Sequence, residues 1–231
     1  MFTKNINENN RQSWLKKIIS NLPDGTRILD AGAGELKNKK YCKHLNYVAQ
    51  DFCEYKGVQN ATISDGLQNK SWDTSKIDLV SDICNIPAVD ESFDSILCSE
   101  VLEHIPEPTH VLDEFARLLK PGGKLILTAP FASIVHMAPY YYSSGFSRYW
   151  YEYHLKKRGF KIIELTPNGD WFSYVEQEIT RLGSMERELG NRIWPLAYLY
   201  SLLSVMYFKL RGSKRAYNHA CFGWHCVAEK I

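Results

Sequence analysis

Two glycines follow an apolar run that ends in an acid, in Ile28-Leu29-Asp30-Ala31-Gly32-Ala33-Gly34-Glu35. Glycine has no Cβ, so the backbone at 32 and 34 can approach a ligand closely. Two further acids follow, each closing an apolar run. Asp51 stands 19 residues after Gly32, and a carboxylate there can accept hydrogen bonds from both hydroxyls of a ribose. Asp82 can accept from an exocyclic adenine amine, with the Ile83 N–H reaching a ring nitrogen. This is nucleoside-recognition chemistry. A dinucleotide is a competing reading, because an acid about 20 residues past the glycines also marks the NAD-binding turn. Against it, the third glycine of G-x-G-x-x-G falls at Lys37, where pyrophosphate packing wants a small residue.

Groups that handle protons come later. Glu103-His104 follows the apolar run Phe93–Cys98. His136 lies in FASIVHMAPYYYSSGFSRYW, a stretch that also holds Tyr140, Tyr141, Tyr142, Phe146, Arg148 and Tyr149. Aromatics in this number suit stacking on a ring or sugar, shielding of a cation, or the core of a lid. His136 is the favoured base, with His104 second; the competing role for His104 is structural, tying down its loop. No clustered Asp/Asn/His set demands a metal.

The elements that must position these groups alternate between two periods. Apolar residues at helical spacing predict a helix over about residues 9–21, and Val111, Leu112, Phe115, Leu118 and Leu119 form a second stripe, stopped by Pro121-Gly122-Gly123. Short apolar runs predict strands at 27–31, 47–51, 77–82, 93–98, 124–129 and 160–165, and a last one at 219–230. Strand–helix alternation implies a mostly parallel sheet with helices on both faces. Ligands in such sheets bind beyond the carboxyl ends of the strands, where the acids and glycines fall. The segment before the last strand is far too long for a hairpin and reads as helical, in SYVEQEITRLGSMEREL and WPLAYLYSLLSVMYFKL.

With these pieces in this order, residues 26–130 resemble the class I S-adenosylmethionine-dependent methyltransferases, in particular the broad small-molecule group (methyltransferase domain 11-like). The resemblance rests on ILDAGAGE, VAQDF, LVSDICNIP, FDSILCSEVLEHI and LLKPGGKLILTAP. It implies a Rossmann-like three-layer αβα fold, with a seven-stranded, mostly parallel sheet whose last strand is antiparallel. It places Asp30, Ala31, Gly32 and Gly34 around the methionine part of S-adenosylmethionine, Asp51 and Phe52 at the ribose, Asp82 and Ile83 at the adenine, and Ser99 and Glu100 near the reactive end. It places Tyr140, Tyr141, Arg148 and Tyr149 on the substrate side. Many members carry a third glycine where this chain has Leu36. The expected organisation is one domain over 1–231, comprising an N-terminal helix (1–25), a cofactor core (26–130), a lid loop (131–150) and a helical insertion (171–216). The lid and insertion are more loosely similar to methyltransferases of bacterial surface-polysaccharide synthesis. That similarity suggests O-methylation of a sugar hydroxyl on a small molecule or lipid-linked glycan; a quinone-precursor methyltransferase and a non-catalytic cofactor-binding scaffold are the alternatives.

Composition bounds the partners. A net charge of +2 argues for no nucleic-acid partner. The first ten residues are polar, so no signal peptide is expected, and six scattered cysteines without a CxxC pair read as reduced cytosolic thiols. The 17-residue stretch Trp194–Leu210 has one charge, Lys209. It is short for a bilayer span of about 20 residues and suits a buried helix, a homodimer contact or a surface helix. Arg192, Lys209, Arg211, Lys214 and Arg215 flank it, favouring peripheral contact with an anionic membrane, such as the cytoplasmic face of an inner membrane.

Overall fold

A computed structural model describes residues 6–57, 70–211 and 216–231. Helix α1 (Ile6–Ser20) leads into strand β1 (Arg27–Ala31), and β2 (Asn46–Asp51) and the short β3 (Leu79–Val80) follow. Next come β4 (Phe93–Ser99), α2 (Pro108–Leu118), β5 (Leu119–Pro130), α3 (Arg148–Lys157) and β6 (Phe160–Asn168). Two long helices, α4 (Trp171–Glu188) and α5 (Trp194–Arg211), precede β7 (Gly223–Lys230).

The strands form one seven-stranded sheet in the order β3-β2-β1-β4-β5-β7-β6. β1 to β5 pair in parallel, whereas β7 runs antiparallel to both its neighbours. The expected fold is therefore present, including the reversed last strand. Side-chain alternation explains the layering. Ile28, Leu97 and Ile126 point to one face, where they meet Leu15 and Ile19 of α1. Their neighbours Leu29, Ile96, Cys98, Leu125 and Leu127 point to the other, against Phe115 of α2 and Tyr151 of α3. Strands covered on both faces have to be apolar at successive positions, which is why β1, β4 and β5 stand out in the sequence.

Three boundaries differ from expectation. The strand expected at 77–82 is only Leu79–Val80, because the Asp78 carboxylate accepts the Ala49 N–H (2.8 Å) and Asp82 turns the chain by accepting from Cys84 N (2.9 Å). Pro121-Gly122-Gly123 does not end a helix. Helix α2 ends at Leu118, and the three residues lie inside β5, opposite an irregularity between Phe93 and Ser95 of β4. The last strand starts at Gly223 rather than 219.

Helices α4 and α5 form an antiparallel hairpin inserted between two adjacent strands. Their axes approach closely at small residues: a Cβ on Gly183 would lie 2.7 Å from the Tyr198 ring, and Ser201 Oγ donates to Ile179 O at 2.7 Å. Among the described side chains of α5, only Ala197 and Ser201 are buried; Leu196, Leu199, Leu202, Leu203, Met206 and Tyr207 are each more than half exposed. Among the described residues, no helix is long and apolar enough to cross a membrane.

Candidate active site

The carboxyl ends of β1, β2 and β4 open onto two adjoining cavities. The larger, about 710 Å³, is lined by Asp51, Phe52, Asp82, Ile83, Tyr140 and Tyr142. The smaller, about 320 Å³ and predominantly polar, is lined by Gly34, Ser99, Glu103, His136, Gln177 and Arg181 among others. Gly32, Trp72, Glu100, His104 and Met137 border both.

The glycine turn is built by backbone hydrogen bonds. Gly32 N and Ala33 N both donate to Gln50 O at 2.9 Å, and Gly34 N donates to Asp51 Oδ2 at 2.9 Å. Gly32 has φ +74°, and a Cβ there would come within 2.5 Å of Val101 Cγ2. Its lack of a side chain is thus a geometric requirement. Asp51 also accepts from Cys53 N at 2.9 Å, which leaves part of a carboxylate's acceptor capacity for a ligand. Non-glycine residues adopt left-handed backbone around the mouth: Leu36 (φ 59°), Cys53 (58°), Glu100 (57°) and Met137 (53°). Such residues cost of order 1–3 kcal/mol each and concentrate at functional sites. Leu36 is the position where a third glycine was missing; the backbone takes the glycine-like conformation regardless.

Glu100 is clamped. Thr128 Oγ1 donates to its Oε1 (2.9 Å), and Arg11 Nη1 of α1 pairs with its Oε2 (2.9 Å). Ser99 Oγ meets Thr128 Oγ1 at 2.8 Å. The chain over residues 131–147 is strapped onto the β4 end, with Tyr142 N and Ser143 N donating to Glu103 O (3.0 and 3.2 Å). This strap brings His136 to His104, their rings 4.7 Å apart and nearly perpendicular. Both Nε2 atoms stand 3.8 Å from Glu103 Oε1. Burial acts to depress both imidazoles. It prevails at His104, which is lowered, whereas the Glu103 carboxylate beside His136 outweighs it and raises that ring.

Several expected site residues lie elsewhere. Asp30 turns away from both cavities, accepts from Tyr47 OH at 2.6 Å, and is raised to about 7 by burial. Ala31 is core. Of the four residues placed on the substrate side, Tyr140 alone lines a cavity. Tyr141 bonds within the lid through Ser133, Arg148 pairs with Glu152 on α3 (2.8 Å), and Tyr149 is 71% exposed. These three therefore line neither cavity: Tyr141 is held within the lid, and the stretch after Ser147 coils into a helix that turns Arg148 and Tyr149 to solvent. Conversely, Arg11, Gln12, Trp72, Gln177 and Arg181 line the site without any motif to announce them. Glu103, His104 and His136 form a group able to hold a metal ion, their ligand atoms all within 4.8 Å of one another. No contiguous motif contains it.

With this geometry in view, residues 29–127 match the family model described as a methyltransferase domain. The likeness to a methyltransferase domain thus covers less than half of the chain. It is 34% identical over 110 residues to a ubiquinone biosynthesis O-methyltransferase of Xanthomonas axonopodis pv. citri (strain 306), covering 46% of this chain and 44% of that one. The chain thus spans less than half the length of this curated relative. Among solved structures, the [4+2]-cyclase SpnF superposes with a TM-score of 0.57 at 19% identity, covering 96% of this chain and 80% of that one. A structure described as a putative sarcosine dimethylglycine methyltransferase from Galdieria sulphuraria superposes with a TM-score of 0.55 at 16% identity, covering 100% and 90%. At these identities the likeness is one of fold, which alone does not assign a reaction. The matched stretch runs from β1 to β5 and so contains the glycine turn, Asp51, Asp82, Glu100, Glu103 and His104; His136, α4 and α5 lie beyond it.

Proposed function

We propose that the chain is an S-adenosylmethionine-dependent methyltransferase that methylates a hydroxyl oxygen of a small acceptor. The observation carrying this reading is the junction of the two cavities, where Gly32 and Glu100 flank the passage and the Glu103–His104–His136 cluster forms one wall. The residues fit the cofactor. Asp51 retains acceptor capacity for ribose hydroxyls, Asp82 and Ile83 line the larger cavity, and a Cβ at Gly32 would close the turn against Val101. S-adenosylmethionine, when bound, supplies an electrophilic methyl on a sulfonium. The leaving thioether is neutral, so no general acid is needed. Glu100 and Glu103 set negative charge beside the cationic donor. The chain's main contribution is alignment, which can lower a barrier by about 7–11 kcal/mol. The cluster takes the acceptor's proton, with His136 the more open of its two rings.

The polar cavity, with Gln12, Gln177 and Arg181 in its lining, favours a hydroxyl-rich acceptor such as a sugar. A quinone precursor is the second reading. The Xanthomonas relative's name and the exposed apolar face of α5 support it. In both readings α5 lies against an anionic membrane and gives access to a lipid-linked acceptor. Residues 189–215 contain five basic residues and no acid; Lys214 and Arg215 fall outside the described residues, and the sequence alone supplies their charge.

Incubation of the protein with S-adenosylmethionine and cell extract should shift one component by the mass of a methyl group. His136→Ala should cut turnover by roughly 10²–10⁴-fold while leaving cofactor affinity nearly unchanged. Equal turnover in variant and parent would remove the cluster from the mechanism. Cofactor binding with no transfer to any acceptor would point to a scaffold instead.

A further inference from the structure

At the wall of the polar cavity three acceptors converge with no donor among them. His104 Nδ1 faces Tyr140 O at 2.6 Å, and His136 Nδ1 faces Ile134 O at 2.9 Å. A carbonyl can only accept, so each Nδ1 carries a hydrogen, and in a neutral ring Nε2 keeps its lone pair. Both Nε2 atoms are directed to within 3.8 Å of Glu103 Oε1. Glu103 is 1% exposed, and neither of its carboxylate oxygens has a hydrogen-bond partner. A buried carboxylate without a donor costs several kcal/mol, and two imidazole lone pairs facing it add repulsion. A positive charge between them resolves the conflict. One proton bridges a single nitrogen–oxygen pair and leaves the second nitrogen and the second oxygen unmatched. A divalent cation engages all three residues at once.

We propose that Glu103, His104 and His136 are the protein ligands of a divalent transition-metal site opening onto the polar cavity. Two features specify the class of ion. Imidazole nitrogens with one carboxylate suit zinc, cobalt, manganese or iron, whereas magnesium and calcium prefer all-oxygen sets. Each imidazole is also held by a backbone carbonyl on its distal nitrogen, the support that orients metal-ligating histidines. Ligand atoms around such an ion lie about 3–3.5 Å apart, given metal–ligand distances of about 2.0–2.2 Å. The ligand atoms now stand up to 4.8 Å apart, so each side chain has to move inward by about an ångström or less to reach that spacing. With three protein ligands, positions remain open toward the cavity, where an acceptor hydroxyl would meet a Lewis acid; with the ion bound, that ion's acidification of the hydroxyl replaces the free His136 lone pair as what removes its proton. That catalytic use rests on the function proposed above; the binding of the ion does not.

The test uses tag-free full-length protein, stripped with a chelator and titrated with Co²⁺, followed by visible absorption and calorimetry. One equivalent should bind, with ligand-field bands in the visible. His104→Gln and His136→Gln should each weaken binding by at least about 100-fold. Glu103→Gln should abolish the bands while raising the melting temperature of the metal-free protein, since it removes an uncompensated buried charge; a purely structural glutamate would shift it the other way. Binding that is absent, or unchanged in all three variants, overturns the proposal. S-adenosylmethionine affinity of the stripped protein is measured in parallel. Loss of Co²⁺ binding with intact cofactor binding sinks the metal site and leaves the methyltransferase reading standing; the reverse result does the opposite.

Discussion

Asp30 offers a perturbation whose size and sign follow from its surroundings. It is 1% exposed at the end of β1. Burial raises its carboxyl from 3.8 to about 7; the Tyr47 hydroxyl opposes that shift, and the nearby Asp51 charge adds to it. At about 1.4 kcal/mol per unit, ionising Asp30 in the folded chain costs about 4 kcal/mol in all. Because the folded value lies above the unfolded one, the folded state binds the extra proton between pH 3.8 and 7. Stability from this group is therefore complete below about pH 4 and lost as pH rises through 7. Asp30→Asn preserves shape and the capacity to accept from Tyr47 but does not titrate. Urea denaturation of both proteins without cofactor, from pH 5 to 8, should show the variant gaining about 3 kcal/mol on the parent. Other titrations cancel in that difference. A constant offset across the range would show that Asp30 is not held neutral, and that its turn toward Tyr47 is not the dry environment described here.

Three further outcomes follow. Gly32→Ala places a Cβ 2.5 Å from Val101 at φ +74°. Strain and overpacking should together cost about 2–5 kcal/mol in chemical denaturation, and S-adenosylmethionine affinity should fall at least tenfold by calorimetry. His225 is 5% exposed and stacked on Trp14 at 4.7 Å, and burial lowers it to about 4. The unfolded chain takes up its proton first as pH falls, so about 3 kcal/mol of stability should disappear between pH 6.5 and 4. His225→Phe should remove that slope in urea melts. Leu199→Glu with Leu203→Glu on the exposed face of α5 should change stability by less than about 1 kcal/mol yet abolish co-sedimentation with anionic vesicles at low salt; retained binding would remove α5 as the contact.

The α4–α5 hairpin shows where apolar composition misleads. Trp194–Leu210 reads as core, interface or membrane surface with equal ease, because helical periodicity needs a polar face and this segment has almost none. The structure excludes the first. One narrow stripe, Ala197 and Ser201 against Gly183 and Ile179, packs on α4, and Leu196, Leu199, Leu202, Leu203, Met206 and Tyr207 face outward. The strand at 77–82 shows the opposite error. Its residues suit an extended chain, but the side chains of Asp78 and Asp82 divert its backbone hydrogen bonds.

What the sequence determined by itself is the sheet and the glycine turn and acids that border the cavities at its carboxyl edge. Strands buried on two faces must be continuously apolar, and a turn that approaches a ligand must lack side chains, so both leave short-range signatures in β1, β4, β5 and the Gly32–Gly34 turn. What only the tertiary structure decided is which groups meet at the reacting end. Glu103 and His136 are 33 positions apart and are joined by a lid strapped to Glu103 through backbone hydrogen bonds that any residue types could make. Arg11 reaches Glu100 only because α1 crosses the sheet. Asp30 and Asp51, alike in the sequence as strand-end acids, diverge for a steric reason: one side chain points into the layer beneath α1 beside Tyr47, the other toward the open cavity.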